Sequence, residues 1–566
     1  MPEPEKSAEE AAGPNDTNAR TSGEAVARTD DSIETRSPVQ IVLIMIALGM
    51  TVFLAALDIS IVTTALPTIA NEFQSTGVYV WVGAAFTVAG AAMTANWGKL
   101  SDIWGRKAII LIAVGVFFLG SALCGAAVNA PMLIAGRAIQ GGGAGGLLSL
   151  TQIVIGDLFS PRSRGKYYGI VGMVWAIASS LGPVIGGAFA KNVSWRWCFY
   201  INLPISGTAF VIIAALLNLK TSKTPVIAGI RALDWLGGAT LTGGVVMFLL
   251  GLQFGGSSYP WRSATVIGLI VGGIASLALL VLVEWKFARY PILPLYLFAN
   301  ISNAATILSD LFHGLAFLFG SYFLPFYFQA VLGLDSILSG VLLLPYVLGV
   351  SVTAAAAGIY LKITGRYVPW IRASFFISVL GCGLFYDLPE SRTWSKIILY
   401  QIVAGVGIGG LFQPPLVALQ SNVSPQDNGT ATASFSLVRN LAMAVGVVIG
   451  SVAFSNKMTS QQGILQREVG PALASHFSGE NAQASVSLLD TLDIAQQTVI
   501  RHAYHVAIRE VWIEAVCFAA AGLVVCLFIR NAKLDHNHVE VQTGLEGEEE
   551  RYRIASEQRK KKENSS

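Results

Sequence analysis

Charge is scarce in this chain. Asp, Glu, Lys and Arg make up 13% of its 566 residues, against roughly 25% in an average soluble protein. So little polar surface cannot cover a soluble body of this size. That excludes a soluble enzyme, a nucleic-acid binder and a disordered scaffold as readings of the whole chain. Cysteine is scarce as well. Cys124, Cys198, Cys382, Cys517 and Cys526 lie in or beside apolar stretches, and none has CxxC spacing. Neither a metal centre nor a disulfide framework is expected, and each thiol reads as a small buried hydrophobe. The glycine run 141–146 lacks the Gly-Lys-Ser/Thr that closes a phosphate loop. No ATP-binding domain and no nucleophile–base motif stand out. The expectation is a chain that is not an enzyme and carries no cofactor.

Apolar residues are abundant, at 53%, with a mean hydropathy of +0.60. A membrane-spanning helix needs about 20 mostly apolar residues. Fourteen stretches qualify: 39–67, 79–97, 108–127, 132–155, 168–190, 199–219, 235–254, 264–283, 304–329, 336–361, 368–388, 397–419, 433–454 and 511–529. The polar residues 1–38 read as a disordered tail. No cleavable leader precedes the first span, which is expected to stay as an anchor. The loops after spans 2, 4, 6, 8 and 10 carry thirteen Lys and Arg, from Lys99 to Arg366. The short loops on the other side carry five: Lys191, Arg196, Arg262, Arg392 and Lys396. The positive-inside rule makes the richer side cytoplasmic and places both termini there. The loop 455–510 is then outside, and 530–566 is a cytoplasmic tail. Asn192 begins the one glycosylation sequon expected in an outer loop.

An internal repeat organises the spans. Gly98-Lys-Leu-Ser-Asp102-Ile-Trp-Gly105-Arg106-Lys107 lies between spans 2 and 3, and Gly358, Gly365 and Arg366 repeat its glycine and arginine spacing at an offset of 260. Gly143-Ala-Gly-Gly146 and Gly407-Ile-Gly-Gly410 match at an offset of 264. The expected fold is an all-α membrane protein of two related six-helix bundles, residues 39–219 and 304–529. Two inserted helices and their linkers fill 220–303. Paired repeats of this kind build secondary transporters, with the substrate site between them. In the first loop the glycines permit a tight turn. Asp102 can accept bonds from loop donors and from a helix N-terminus of the other half, while Arg106 and Lys107 hold the loop in the cytoplasm. Lys362 stands where Asp102 would align in the second loop, so only the first copy is expected to act as a gate.

Charges inside apolar helices are costly and usually paired. Asp58 in span 1 and Arg137 in span 4 fall at similar depths and are expected to pair. A carboxylate that alternates between an arginine partner and a desolvated setting can take up and release a proton. Asp310 and His313 share one helical face in span 9. With Arg439 in span 13 they form a possible second titratable cluster, a structural ion pair being the open alternative. Phe312, Phe319 and Phe326, with Tyr322 between, make an aromatic stripe that either lines a substrate cavity or faces lipid. Gln140, Gln329, Gln401 and Gln413 are the amides available to orient a ligand. Gln401 is the repeat counterpart of Arg137.

The loop motif resembles the signature of the major facilitator superfamily, and further segments resemble the fungal branch of its fourteen-span drug:proton antiporters. Leu57-Asp58-Ile-Ser-Ile-Val-Thr-Thr-Ala-Leu66-Pro67 is similar to that branch's first-helix motif, and Arg137-Ala-Ile-Gln140-Gly141-Gly142-Gly143 to its fourth-helix motif. Gly182-Pro183-Val-Ile-Gly186-Gly187 resembles the antiporter motif of the fifth helix. Trp195-Arg-Trp-Cys-Phe-Tyr-Ile-Asn202-Leu-Pro204 resembles the entry to the sixth. The resemblance spans residues 41–529 and departs at Ile103, where the loop motif often has a basic residue. It implies proton-coupled export of a small amphipathic organic compound across the plasma membrane. It also implies a role for the fourth-helix arginine in proton handling and for residues 182–187 in exchange direction. The expected partners are the organic substrate, protons and the bilayer, with no nucleic acid, and the expected state is a monomer. A siderophore or vacuolar basic amino-acid transporter, or a non-transporting sensor, remain alternatives.

Overall fold

The computed structural model describes residues 37–532 except 74–75, 220, 222, 257–258, 289 and 480, and then 534, 543–549 and 553. Residues 1–36 of the expected disordered tail 1–38 and most of the tail 530–566 lie outside the described residues, and Pro38 already belongs to the first helix. Fourteen long helices are numbered here in chain order. They are α1 (Pro38–Phe73), α2 (Thr76–Trp104), α3 (Arg106–Gly125), α4 (Ala130–Leu158), α5 (Pro161–Asn192), α6 (Asn202–Leu216) and α7 (Trp235–Phe254). Next come α8 (Ala264–Lys286), α9 (Ile301–Ala330), α10 (Leu344–Thr364), α11 (Val368–Phe385), α12 (Trp394–Gly409), α13 (Asn428–Val469) and α14 (Ile494–Cys526). Twelve helical segments among the described residues are long and apolar enough to cross a membrane. They leave out α2 and α14. The protein is an all-α, multi-pass membrane protein.

Helix is the structure that satisfies every backbone polar group within one segment, as a lipid surround requires. Local sequence sets the ends. Asn129 accepts from the Met132 N–H at 2.9 Å to start α4, Asp234 from Gly237 at 2.8 Å to start α7, and Asn300 from Ser302 at 2.9 Å to start α9. Gly365, left-handed at φ 65°, ends α10. Large apolar side chains such as Leu119, Val211, Val271, Val352 and Phe376 point outward and are exposed. A band of that kind suits lipid, not water.

Within the first six helices α2 and α3 pack on α4, and α1 packs on α5. Within the last six, α9 packs on α13 and α14, and α11 on α12 and α14. Contacts of α5 with α10 and of α2 with α13 join the two sets, while α7 and α8 pack on each other and α7 on α2. Small residues set the closest approaches. A Cβ on Gly141 would lie 2.6 Å from Phe86 Cα, and one on Gly182 would lie 2.7 Å from Ser60 Cβ and 2.8 Å from the Ile61 nitrogen. A Cβ on Gly186 would strike the Ile61 carbonyl, whereas one on Gly187 would meet nothing within 4 Å. Gly182 and Gly186 thus seat α5 on α1 within a turn of Asp58. The side chain of Pro183 lies outside the described residues.

Four segments differ from the sequence reading. Span 10 is a short helix, Ser336–Leu342, followed by α10. Span 6 is a short helix, Trp197–Tyr200, followed by α6. Span 12 breaks after Gly409 and resumes as the helix Pro414–Ser421. The segment 455–510, expected as a loop, is partly helical. Helix α13 runs on to Val469 and α14 begins at Ile494, and Lys457 pairs with Glu510 between them at 2.6 Å. Phe477 and Leu489 of the intervening segment are buried against Tyr504 and its neighbours. An apolar window finds only the part of a helix that must face lipid, so polar extensions escape it.

The glycine contacts make a direct prediction. Gly186→Ala should lower thermal stability by about 1–3 kcal/mol, the usual cost of overpacking, and Gly187→Ala should change it little. Thermal unfolding of the purified protein in detergent measures both.

Candidate functional site

Three buried polar clusters organise the interior. The first lies within the first six helices. Asp58 on α1 and Arg137 on α4 form an ion pair, both buried. Gln140, one turn along α4, accepts from Arg137 Nη1 at 2.7 Å and donates to Asp58 Oδ1 at 2.7 Å and to Ser121 Oγ at 2.8 Å. The break before α6 turns Asn202 inward, where it donates to Asp58 Oδ1 at 3.0 Å. Arg137 Nε donates to the Val82 carbonyl at 2.9 Å, and its guanidinium lies 4.2 Å from the Phe86 ring centroid. Asp58 therefore receives donors at both oxygens, from Arg137, Gln140 and Asn202. That set fits an ionised carboxylate and leaves a proton on it without an acceptor.

The second cluster joins Asp310 and His313 of α9 to Arg439 of α13. Arg439 reaches Asp310 Oδ1 through Nε at 3.0 Å and through Nη2, and it also donates to the Phe412 carbonyl at 3.0 Å. His313 Nε2 lies 3.1 Å from the Ile408 carbonyl. Gln401, the repeat counterpart of Arg137, takes no part: buried on α12, it donates to the Ile397 carbonyl at 3.1 Å. The two charge pairs are thus not related by the internal repeat.

The third cluster closes one end of the molecule, here the loop end. Asp102 pairs with Arg106 and accepts from Thr430 Oγ1 at 2.8 Å, in the first turn of α13. Arg106 Nε donates to Asp157 Oδ2 at 2.7 Å and its Nη1 to Ser101 Oγ at 2.7 Å. Arg106, expected to hold the loop in the cytoplasm, is buried between two carboxylates that neutralise it. Lys107 reaches Asn218 at 3.2 Å at the surface. Gly98 sets its α-carbon against Ala433, and Gly105, at φ 91°, turns the chain into α3. The second loop also bridges the two sets of helices. Arg162 at the start of α5 donates to the carbonyls of Lys362 and Ile363 at 2.8 and 2.7 Å. Backbone carbonyls do there what Asp102 does in the first loop. Gln420 to Tyr168 at 3.0 Å, Ser436 to Gln152 at 3.1 Å and Asn440 to Thr94 at 3.1 Å add to the seam. The loop end is shut.

A tail segment straps this end. Glu548 pairs with Lys99 at 2.5 Å, both side chains buried, and the Gly544 N–H donates to the Asp102 carbonyl at 2.8 Å. Thr543 meets Thr221 at 2.9 Å, and the Leu545 N–H donates to Thr224 Oγ1 at 2.9 Å. At the far end Glu72 accepts from Trp195 Nε1 at 2.5 Å and Arg196 Nη1 at 2.9 Å. The Trp195 hydrogen bond first, and Arg196 with it, hold the Glu72 carboxyl below its ordinary range.

The candidate ligand residues scatter. Gln140 belongs to the Asp58 network. Phe319 is buried, with Phe323 and Phe518 at centroid distances of 5.8 Å. Phe312 stands 6.5 Å from Phe518, and Phe326 stands 5.1 Å from Phe454. The stripe therefore packs largely on α13 and α14 inside its own set of helices. Tyr322 is exposed, Gln329 half-buried and Gln413 buried. Asn192 is exposed at the last residue of α5. Sequence reasoning assigned no role to Asn202, Ser121, Asp157, Thr430 or Glu548. Asn202, an amide in an apolar run, and Asp157, an acid at a span end, carried a local signal. The pairing of Glu548 with Lys99 carried none.

The Major Facilitator Superfamily model matches residues 48–447. The efflux pump dotC of Dothistroma septosporum is 47% identical over 519 residues, covering 92% of this chain and 89% of the pump. The MFS-type transporter ppz2 of Metarhizium majus is 46% identical over 528 residues, covering 93% and 91%. Among solved structures, the proton:xylose symporter XylE is similar at a TM-score of 0.53 with 14% identity, covering 91% of this chain and all of that one. At that identity the likeness concerns the fold alone.

The strap is testable through its buried ion pair. Removing one partner of such a pair typically costs about 3–5 kcal/mol, because the other charge is left uncompensated. Lys99→Glu and Glu548→Lys should each lower thermal stability in detergent, and the double swap should restore most of the loss.

Proposed function

This chain belongs to the Major Facilitator Superfamily and is a secondary active transporter of small organic compounds, and we propose that it exports an amphipathic compound across the plasma membrane in exchange for protons. The observation that carries the exchange reading is the Asp58 network. A carboxylate is kept in an apolar helix, paired with Arg137 and filled with donors by Gln140 and Asn202. Such a group is costly to keep and is suited to lose and regain a proton as its donors come and go.

The proposed architecture is fourteen spans in two six-helix bundles, α1–α6 and α9–α14, with α7 and α8 inserted. The loop end faces the cytoplasm, in keeping with its basic residues. On that orientation the shut loop end is a closed cytoplasmic gate, and we read the saturated Asp58 as the state before proton uptake from outside. A proton arriving on Asp58 weakens the hold of Arg137, Gln140 and Asn202. Helix α1 is then free to shift on α5 along the Gly182–Gly186 contact, the Asp102–Thr430 and Arg162 bridges part, and the cavity opens inward. Substrate binding from the cytoplasm or inner leaflet returns the proton and resets the pair. Tyr322, Gln329, Phe312, Phe326 and Gln413 are the proposed substrate contacts. Aromatic faces and a few amides hold an apolar compound weakly enough to release it. Asn192 is the proposed glycosylation site, and the working unit is a monomer. The names of the related efflux pumps support export over import.

Two measurements test this reading. Cells lacking the protein should retain more of the exported compound, and collapsing the proton gradient with a protonophore should raise accumulation in wild-type cells to the same level. An importer gives less compound inside the deletion strain. In inverted vesicles, Arg137→Ala should reduce gradient-driven uptake to background while the protein remains in the membrane. Unchanged uptake contradicts the coupling role of the pair.

A further inference from the structure

The second cluster differs from the first in one respect. In the first cluster the unpartnered buried acceptor is a neutral amide oxygen, Asn202 Oδ1, and Asp58 has a donor on each oxygen, whereas in the Asp310–His313–Arg439 cluster two titratable groups each keep a buried acceptor without a hydrogen-bond partner, Asp310 Oδ2 and His313 Nδ1. The cause lies in the local geometry. Both Arg439 contacts go to Asp310 Oδ1. A carbonyl can only accept, so the 3.1 Å contact of His313 Nε2 with the Ile408 carbonyl fixes the proton on Nε2. In a neutral ring the lone pair of Nδ1 is then turned toward the carboxylate, 3.7 Å from Asp310 Oδ1. Two electron-rich acceptors facing each other in a dry interior repel. One proton on Nδ1 turns that repulsion into attraction.

We infer that His313 is the proton-binding group of the second half of the molecule, with Asp310 as its counter-charge and Arg439 as the residue that keeps Asp310 ionised. The inference rests on the proton-exchange reading and adds a second proton site to it. The step is a simple transfer. An N–H bond forms at Nδ1 as one O–H bond of a hydronium ion breaks, and the reverse step delivers the proton to water on the other side. With a neutral ring the trio is uncharged, and with an imidazolium it carries one positive charge. A net charge is costly in a closed apolar interior and less so when the site is open to water. Loading and unloading of His313 are thereby tied to opening and closing.

The surroundings leave few competing groups. Among the described residues the charges acting on His313 are Asp310 on its own helix and Arg439 on α13. Helix α12 and the turn after it offer the Ile408 carbonyl and the edge of the Phe412 ring, centroid 4.8 Å away. Gln413, next to Phe412, is uncharged. From α14 the ring of Phe518 packs on Phe312, and Glu514 lies four residues before Phe518 on that helix.

The test is a titration of the full-length protein in detergent with 15N-labelled histidine, read by NMR. His313→Gln identifies the signal by its loss. Glutamine keeps an N–H able to reach the Ile408 carbonyl and has nothing to titrate. The expected result is one buried histidine with the Nε2–H tautomer that becomes an imidazolium on acidification, and Asp310→Asn should abolish that conversion while the neutral signal remains. A neutral signal unchanged down to the pH at which the protein unfolds overturns the inference. So does a signal that answers only to added rhodamine 6G, which makes His313 a substrate contact. Because the readout is proton binding, it stands apart from the export assay. A titrating His313 in a protein whose export ignores protonophores defeats the exchange reading alone. A silent His313 in a protonophore-sensitive exporter defeats the second site alone.

Discussion

A charge placed inside a membrane protein must be neutralised within the protein, and this chain keeps several there. The Asp58–Arg137 pair sets the strongest constraint. It requires α1 and α4 to stand at a fixed height, and Gln140 and Asn202 to reach the same carboxylate from one turn along α4 and from the head of α6. The helix packing around it follows. The glycine face of α4 lets α2 approach until Phe86 lies over the guanidinium, and the Gly182 and Gly186 face of α5 holds α1 beside Asp58. A looser bundle admits water and weakens the attraction within the pair.

The same constraint shapes the loop end, with a different solution. There the charges of Asp102, Arg106 and Asp157 lie where the two sets of helices meet, and Thr430 carries the contact across. The second loop makes an equivalent bridge without a carboxylate, through two backbone carbonyls that receive Arg162. The two loops make contact across the seam by different chemistry. One bridge depends on side-chain charge and the other on helix-end geometry, so the seam does not open by neutralising Asp102 alone. The tail strap from Thr543 to Glu548 adds a third hold, on the first loop through Lys99 and Asp102 and on Thr221 and Thr224 after α6.

Much of the fold was legible because membrane helices advertise themselves: α7, for example, occupies the residues expected of its span. The helix extensions into residues 455–510 and the break after Gly409 escaped the sequence for one cause. Hydropathy records what faces lipid, and neither a helix continuing into water nor a turn buried in protein changes that record. The charge pairs were legible because a lone Asp or Arg in an apolar run has few ways to be stable. The roles of Asn202 and Thr430 were not, since a neutral polar residue in a helix can bond to its own backbone. Glu548 was beyond reach, its partner being a lysine 449 residues away. The aromatic stripe on α9 was legible by its spacing of seven, but which of its rings meet α13 and α14 is decided by packing.

The central claim is that the shut loop end and an ionised Asp58 belong together, and that a proton arriving on Asp58 from outside goes together with opening of that end, so a seam that is held shut keeps Asp58 ionised. Infrared difference spectroscopy measures this directly, with the Asp58 carboxylic-acid band assigned by its loss in Asp58→Asn. At mildly acidic pH the band should be absent in protein locked shut by a disulfide introduced across the Asp102–Thr430 seam. It should appear when the disulfide is reduced and the seam is loosened by Asp102→Asn together with Arg162→Ala. A protonated Asp58 in the locked protein, or an ionised one in both states, contradicts the account.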